Sequence, residues 1–216
     1  MKILILVISV IAGICTFTSI PEKFYTTLLI RNSCDRRYND LADSMSNLLN
    51  SGAFSDFTIH VGGEKIRAHR AILAARSEFF SRMLLSGPDV NMNEIIVEEI
   101  PSKAVKAMLR FIYSGEIEMY AFKAPAELYV SAYIFKVPFL IKILHNILEN
   151  SLNLDNAIEL FILANKNGDV ILEEKILEFM VKNVLYIEKR NDWMDFLKTH
   201  PVLANKVVLF LNKKYQ

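Results

Sequence analysis

Alternating apolar and polar positions in the first third of the chain predict two short paired strands. Phe57, Ile59 and Val61 alternate with polar residues, which is the period-two pattern of a strand with one buried face. Gly62-Gly63 comes next, and a Gly-Gly pair supplies the positive φ angles of a tight hairpin turn. Residues 64 to 69 are therefore expected to pair back as the second strand.

A helical pattern begins directly after this hairpin. Residues 71 to 75 are apolar and mostly strong helix formers. Ser77 is placed to cap a further helical turn. The apolar positions of that turn are Phe79, Phe80, Met83 and Leu84. The stretch from 54 to 84 therefore predicts strand, strand and helix in close succession.

Helices, punctuated by proline and glycine, dominate the rest of the chain. Residues 95 to 97 begin a third strand. Pro101 opens a helix that Gly115 closes, and further helices begin near Pro125 and at Pro138. Beyond residue 150 the apolar periodicity predicts more helices, with a turn at Gly168 and a last helix that starts at Pro201. These patterns predict an α+β region followed by an all-helical one.

The order and spacing of these elements resemble a known family. FSDFTIHVGGEKIRAHRAILAARSEFFSRML (54 to 84) and PSKAVKAMLRFIYSGEIE (101 to 118) resemble the core of a BTB/POZ domain, specifically of the speckle-type POZ group. NLDNAIELFILANKNGD (153 to 169) resembles the partial BACK, or 3-box, extension that follows such domains. The resemblance covers roughly residues 41 to 210. It implies a small, mainly antiparallel sheet flanked by helices, and a protein that binds other proteins.

This resemblance sets the expected domain organisation. We expect a hydrophobic segment over residues 1 to 20, a linker over 21 to 40, the BTB/POZ domain over 41 to 150 and the helical extension over 151 to 212. Speckle-type proteins usually place a substrate-binding MATH domain before the BTB domain. Only 40 residues precede Leu41, which is short of a typical domain of about 100 residues, so no MATH domain is expected there.

The helix predicted over residues 41 to 50 is the first candidate binding surface. Its apolar residues recur at i, i+4, i+7 and i+8, which places them on one face. In the speckle-type group such a helix packs on a partner subunit, and this implies a homodimer contact through Leu41, Met45, Leu48 and Ile72. The alternative is that these side chains pack within their own domain, because an amphipathic stripe reports burial without naming the partner.

Asp56 and Arg70 are further candidates for the dimer interface. They match the positions where BTB dimers carry a charged pocket near the two-fold axis. A half-buried carboxylate beside a guanidinium has to be paired, because an unpaired buried charge costs several kcal/mol. The alternative role is to fix the geometry between strand and helix. The neighbouring His69 is expected to be a core histidine with a satisfied ring, since no nucleophile motif adjoins it.

A second candidate surface follows the predicted helix that ends near Leu85. In adaptor BTB proteins this loop carries a hydrophobic-x-Glu motif that contacts cullin-3, the scaffold of a ubiquitin ligase. Met92 and Glu94 have that spacing, although the sequence around the motif departs from the speckle-type pattern. The alternative is a plain loop that feeds an edge strand.

Composition narrows the remaining function classes. Lys plus Arg is 25 and Asp plus Glu is 24, so a net charge of +1 gives no electrostatic footprint for nucleic acid. The two cysteines, Cys15 and Cys34, precede the predicted domain and exclude a disulfide framework within it. The four histidines are too scattered for a metal-ligand spacing. No set of catalytic residues or phosphate-binding loop is found, so we expect neither enzymatic activity nor a cofactor.

Residues 3 to 20 contain no charge and leave three alternatives open. They have the features of a signal peptide. They also suit a membrane anchor at the short end of the spanning length, and the positive-inside rule would leave the rest of the chain in the cytoplasm. The third alternative is a wrongly assigned start of the chain. Because the resembled family works in cytoplasm and nucleus, that location is expected and secretion ranks lowest.

Three binding functions remain at this point. The first is a dimeric adaptor that docks a cullin-3-type scaffold and holds cargo near a ubiquitin-conjugating enzyme. The second is a dimeriser without cargo that pairs with full-length BTB proteins and regulates them. The third is a membrane-tethered scaffold. A corepressor platform is also conceivable from the family, but zinc-finger cysteines and a basic region are missing from the sequence.

Overall fold

The computed structural model of the chain describes residues 40 to 85 and 92 to 214. The chain divides into two compact units, Met1–Leu41 and Ala42–Gln216, and most of the first lies outside the described residues. The predicted signal-like or anchoring segment, residues 21 to 39 of the predicted linker and both cysteines also lie outside the described residues. None of the described helices is long and apolar enough to cross a membrane.

The described elements follow one another with short connections. α1 covers residues 40 to 51, where the description begins. The remaining elements are β1 (Phe57–Val61), β2 (Glu64–Ala68), α2 (Arg70–Arg76), α3 (Glu78–Leu85), β3 (Glu94–Val97), α4 (Ser102–Ser114), α5 (Tyr120–Lys123), α6 (Pro125–Ile134), α7 (Pro138–Ser151), α8 (Ala157–Asn167), α9 (Val170–Lys182), α10 (Val184–Ile187), α11 (Asn191–Thr199) and α12 (Pro201–Lys214).

The three strands form one mixed sheet in the order β2-β1-β3. β1 and β2 pair antiparallel with Ile59 opposite Ile66, across the predicted Gly62-Gly63 turn, whose φ angles are 56° and 79°. β3 pairs parallel to β1 with Ile95 opposite Ile59. The parallel pairing arises because α2 and α3 lie between the strands, and a parallel connection needs such a crossover. The α+β class is confirmed, and the sheet is mixed.

The apolar face of the sheet packs on α3. Phe57 and Ile59 are buried, and the Phe57 ring meets Phe80 of α3 edge to face at 6.1 Å between centroids. Phe80 in turn stacks on Phe135 at 5.3 Å. The Ser77 hydroxyl accepts a hydrogen bond from the Phe80 N–H at 3.1 Å, so Ser77 caps α3 as predicted.

The helices beyond residue 151 share the core of the preceding region. Buried apolar side chains form one continuous cluster from Leu49 to Val207. Asp169, the N-cap of α9, adds a polar link because its carboxylate accepts from the Tyr129 hydroxyl of α6 at 2.7 Å and from His145 Nε2 of α7 at 2.6 Å. The same carboxylate accepts from the Leu172 N–H at 3.1 Å. Apolar packing and this buried cluster therefore attach the extension to the sheet-bearing region.

Candidate functional site

α1 divides its apolar residues between two faces. Ala42 and Leu49 are buried, and Met45 packs partly against the same core, an i, i+3, i+7 stripe. Leu41, at 61% exposure, and the half-buried Leu48 lie seven residues apart on the flank of that stripe. The fold therefore buries one side of the predicted stripe, and on the other side it leaves Leu41 exposed and Leu48 half-buried.

Ile72 lies on α2 and is half-buried against the core. Its N–H donates to the His69 carbonyl in the first turn of that helix. Ile72 thus packs within the chain and keeps part of its surface exposed.

The predicted pair of Asp56 and Arg70 meets through the main chain. The Asp56 carboxylate is exposed, and its Oδ1 accepts from the Arg70 N–H at 2.8 Å, which satisfies a donor at the start of α2. The Arg70 guanidinium donates to the carbonyls of Met92, at 2.6 Å, and Leu84, at 3.4 Å. Arg70 therefore connects the predicted dimer residues with the predicted scaffold-binding residues.

Met92 and Glu94 flank the start of β3. The Met92 side chain is 46% exposed, while its carbonyl is held by Arg70. Glu94 is the first residue of β3, and its exposed carboxylate bonds His60 Nε2 at 2.9 Å. The two side chains belong to a strand and its approach, and residues 86 to 91 of the predicted loop lie outside the described residues.

His69 is the buried, fully bonded histidine that the sequence predicts. Its Nε2 lies 2.7 Å from the Ala53 carbonyl, which can only accept, so Nε2 donates this hydrogen bond. Nδ1 then accepts from the Tyr113 hydroxyl at 2.7 Å, and that hydroxyl accepts from the His69 N–H at 2.9 Å. Burial raises the pKa of Tyr113 to about 12, although the hydrogen bond from the His69 main-chain N–H acts to lower it. Tyr113 thus stays a neutral donor at physiological pH.

Phe54 is a surface residue that the sequence analysis missed. Its side chain is 94% exposed, and its φ of 58° lies in the left-handed region that bulky residues rarely adopt. An exposed aromatic on a strained backbone is a candidate contact residue. The sequence does contain a signal for this residue, because Phe54 is a large apolar residue that follows Gly52 after the end of α1.

Comparison with known proteins identifies the family. The family model described as BTB/POZ domain matches residues 45 to 152, which is half of the chain. The chain belongs to the BTB/POZ family. BTB/POZ domains are protein-interaction modules.

The BTB/POZ chain resembles several curated proteins at moderate identity. It is 27% identical to TD and POZ domain-containing protein 4 of Mus musculus over 168 residues, which are 77% of this chain and 44% of that protein. It is 28% identical to BTB/POZ and MATH domain-containing protein 4 of Arabidopsis thaliana over 186 residues, covering 79% and 40%. It is 30% identical to Kelch repeat and BTB domain-containing protein 3 of Homo sapiens over 185 residues, covering 83% and 29%.

The chain spans less than half the length of these relatives. Among solved structures it is similar to the BTB domain of zebrafish PATZ1, with 22% identity and a TM-score of 0.42. That match covers 62% of this chain and 99% of the other.

Proposed function

We propose that this BTB/POZ chain is a homodimeric adaptor that brings bound cargo to a cullin-3-type ubiquitin-ligase scaffold. The observation that carries the proposal is the apolar flank of α1, where Leu41 is exposed and Leu48 is only half-buried. Full burial of a leucine side chain contributes about 1.5 to 3 kcal/mol, so a second copy that covers this flank gains stability.

The dimer face extends beyond the flank of α1. Ile72 and Asp56 lie at the surface of the same BTB region, and Arg70 joins Asp56 at the start of α2. A stable interface buries about 800 Å² on each partner, which requires about 20 to 30 residues a side. Leu41, Met45, Leu48, Asp56, Arg70 and Ile72 supply part of that area. In this assignment Met45 and Ile72 pack against the core with part of each side chain and contact the second copy with the exposed part.

The scaffold contact uses Met92 and Glu94. Met92 exposes an apolar side chain, and Glu94 places a carboxylate two residues later at the start of β3. Arg70 holds the main chain at Met92, which limits the conformational entropy that binding would cost. An apolar side chain on a fixed main chain next to an exposed charge suits a protein contact at the rim of an interface.

The proposed mechanism is proximity, without chemistry of the chain's own. An adaptor that binds cargo and scaffold at once raises the effective concentration of the cargo near the transfer enzyme. In a two-plus-two complex, each copy of the chain would present one scaffold site.

The test is the mass of the full chain in solution, alone and mixed with the N-terminal part of cullin-3, by light scattering coupled to size exclusion. We expect the mass of two chains alone and of a two-plus-two complex in the mixture. A dimer that ignores the scaffold at micromolar concentration would contradict the adaptor function and favour a BTB dimeriser.

Two surface variants separate the two contacts. Leu41→Asp with Leu48→Asp should give a monomer, while Asn47→Asp, exposed on the same helix, should stay dimeric. Met45 is left unchanged because it packs against the core. Met92→Asp should abolish scaffold binding and keep the dimer, whereas Met119→Asp, at a more exposed methionine outside the proposed contact, should bind normally.

A further inference from the structure

β2 is an edge strand whose outer side has no pairing strand among the described residues. Thr58 of β1 donates its N–H to the Asn93 carbonyl beside β3 at 2.8 Å. Main-chain groups alternate sides along a strand, so the neighbouring residues of β1, such as Ile59, turn theirs toward β2. Ile59 is opposite Ile66, so Ile66 turns its main-chain groups toward β1. Its two neighbours in β2 are Lys65 and Arg67, which therefore turn their N–H and C=O groups to the free edge.

A groove of about 360 Å³ lies along this edge. Its apolar lining comes from Leu49 of α1, Ile66 of β2 and Leu109 of α4. Gly52 lines it just after α1, where a Cβ atom would come within 2.7 Å of Arg67 Nε. The glycine therefore allows the chain after α1 to approach the edge strand closely.

Among the described residues, four basic residues and one acidic residue line the groove. Lys106 of α4 pairs with that carboxylate, Glu64, at 2.5 Å, and the Arg110 guanidinium is bonded to Glu118. The exposed ammonium of Lys65 has no ion pair in the described parts of the chain, and Arg67 donates to the Ser51 carbonyl at 3.4 Å. The groove therefore combines two main-chain donors, two main-chain acceptors, an apolar lining and excess positive charge.

We propose that an extended acidic segment of a partner protein binds this groove as an added strand on β2. Its main chain pairs with Lys65 and Arg67, and its carboxylates face the cations of the groove. Strand addition to a free sheet edge takes its affinity from the main-chain ladder and its specificity from alternate side chains. Charge complementarity selects the acidic partner and speeds association. This site is separate from the proposed scaffold contact at Met92 and Glu94.

A partner segment suits the edge better than a second copy of the chain. Among the described strands, the acidic one is β3, which begins at Glu94 and is followed by Glu98 and Glu99. Pairing β3 of one copy with β2 of the next is a head-to-tail contact, which builds an open filament unless it closes into a ring.

The test uses fluorescein-labelled hexapeptides and the full chain, with fluorescence anisotropy as the readout. Glu-Val-Glu-Val-Glu-Val should bind, and Lys-Val-Lys-Val-Lys-Val should not. Glu-Val-Glu-Pro-Glu-Val has the same charge but lacks one N–H, so it should bind about tenfold more weakly. Equal binding of the two acidic peptides would overturn strand addition.

Variants of Lys65 separate charge from main-chain pairing. Lys65→Glu should weaken binding of the acidic peptide by about tenfold or more, while Lys142→Glu, an equal charge change at an exposed site on α7, should not. Lys65→Pro removes an N–H that faces the free edge, where proline is tolerated. It should weaken binding well beyond Lys65→Ala. Circular dichroism checks that each variant keeps its fold. If Lys65→Glu does not, Lys65→Ala tests the charge, and if Lys65→Pro does not, the proline-containing peptide tests the main-chain pairing.

Two other outcomes would overturn the proposal. An oligothymidylate that binds as tightly as the acidic peptide, with the same loss in Lys65→Glu, would make the groove a general anion site. Mass beyond a dimer for the protein alone, lost in Lys65→Glu, would make a second copy the occupant.

Discussion

At the residue scale, the buried Asp169 joins three elements through one carboxylate. Only 6% of the residue is exposed. Burial raises the pKa of Asp169, but hydrogen bonds from the Leu172 N–H, the Tyr129 hydroxyl and His145 together hold it below its ordinary value of 3.8. Burial raises the pKa of the Tyr129 hydroxyl, and its hydrogen bond to Asp169 raises that pKa further. The carboxylate is therefore ionised and acts as an acceptor at neutral pH.

Asp169→Asn should lower the free energy of unfolding by about 2 kcal/mol, because the amide brings two donors to a site that already faces three. Urea unfolding measures the change. Asp192→Asn is the matched control, because Asp192 forms a more exposed pair with Arg190 and such pairs contribute about 1 kcal/mol or less. Equal losses in the two variants would contradict the role given to Asp169.

The ionisation of Asp169 also predicts a pH dependence. Its pKa is lower in the folded than in the unfolded chain, so between the folded pKa and about 3.8 the unfolded chain binds more protons. This contribution to stability is present above that window and is lost as the pH falls through the folded pKa. Urea midpoints from pH 7 to pH 3 should fall less steeply in Asp169→Asn than in the parent, and parallel slopes would contradict the assignment.

Tyr113→Phe should destabilise the fold by about 1 to 3 kcal/mol, because it leaves the N–H and Nδ1 of the buried His69 without their partner. Thermal unfolding checks the loss. Tyr186→Phe, at an exposed tyrosine, is the control and should melt within experimental error of the parent. Tyr113 was not singled out in the sequence, because the helical periodicity of α4 carries no signal of a hydrogen bond across 44 residues.

At the element scale, local sequence patterns predicted those elements whose formation depends on residues close in sequence. The β1-turn-β2 hairpin and the start of α3 at Ser77 follow from strand periodicity, a Gly-Gly pair and a capping side chain. The inward face of α1 was only partly predicted, because Ala42 is small and weakly apolar, yet it is buried. The parallel entry of β3 depends on the path of α2 and α3, which no local pattern specifies.

The hairpin turn offers a test of backbone conformation alone. A Cβ atom added at Gly63 meets no atom within 4 Å, so any cost of substitution there comes from its φ of 79°. Gly63→Ala should cost about 1 kcal/mol of unfolding free energy, and Gly63→Asn should cost less because asparagine tolerates this region. Chemical denaturation distinguishes them, and equal stability of all three proteins would contradict the strain argument.

At the scale of the whole molecule, one apolar cluster runs from the first described helix into the last. The two predicted regions, residues 41 to 150 and 151 to 212, therefore bury their side chains together. Sequence motifs predict where one domain ends and the next begins. They do not predict whether the hydrophobic core continues across that boundary.

The shared core predicts a single unfolding transition for the described region. Trp193, the one tryptophan, lies on α11 and reports on the extension, while far-ultraviolet circular dichroism reports on helices throughout. The two thermal curves should coincide. A fluorescence transition well below the dichroism transition would show that the extension unfolds independently.

The Asp169 carboxylate also constrains how this chain can be shortened in evolution or in the laboratory. A fragment that stops after α7 would keep the Tyr129 hydroxyl and the His145 ring but lose the acceptor they share. Natural BTB domains that end there would be expected to carry apolar or small residues at positions 129 and 145. These two positions could therefore separate domains that evolved alone from domains that lost an extension.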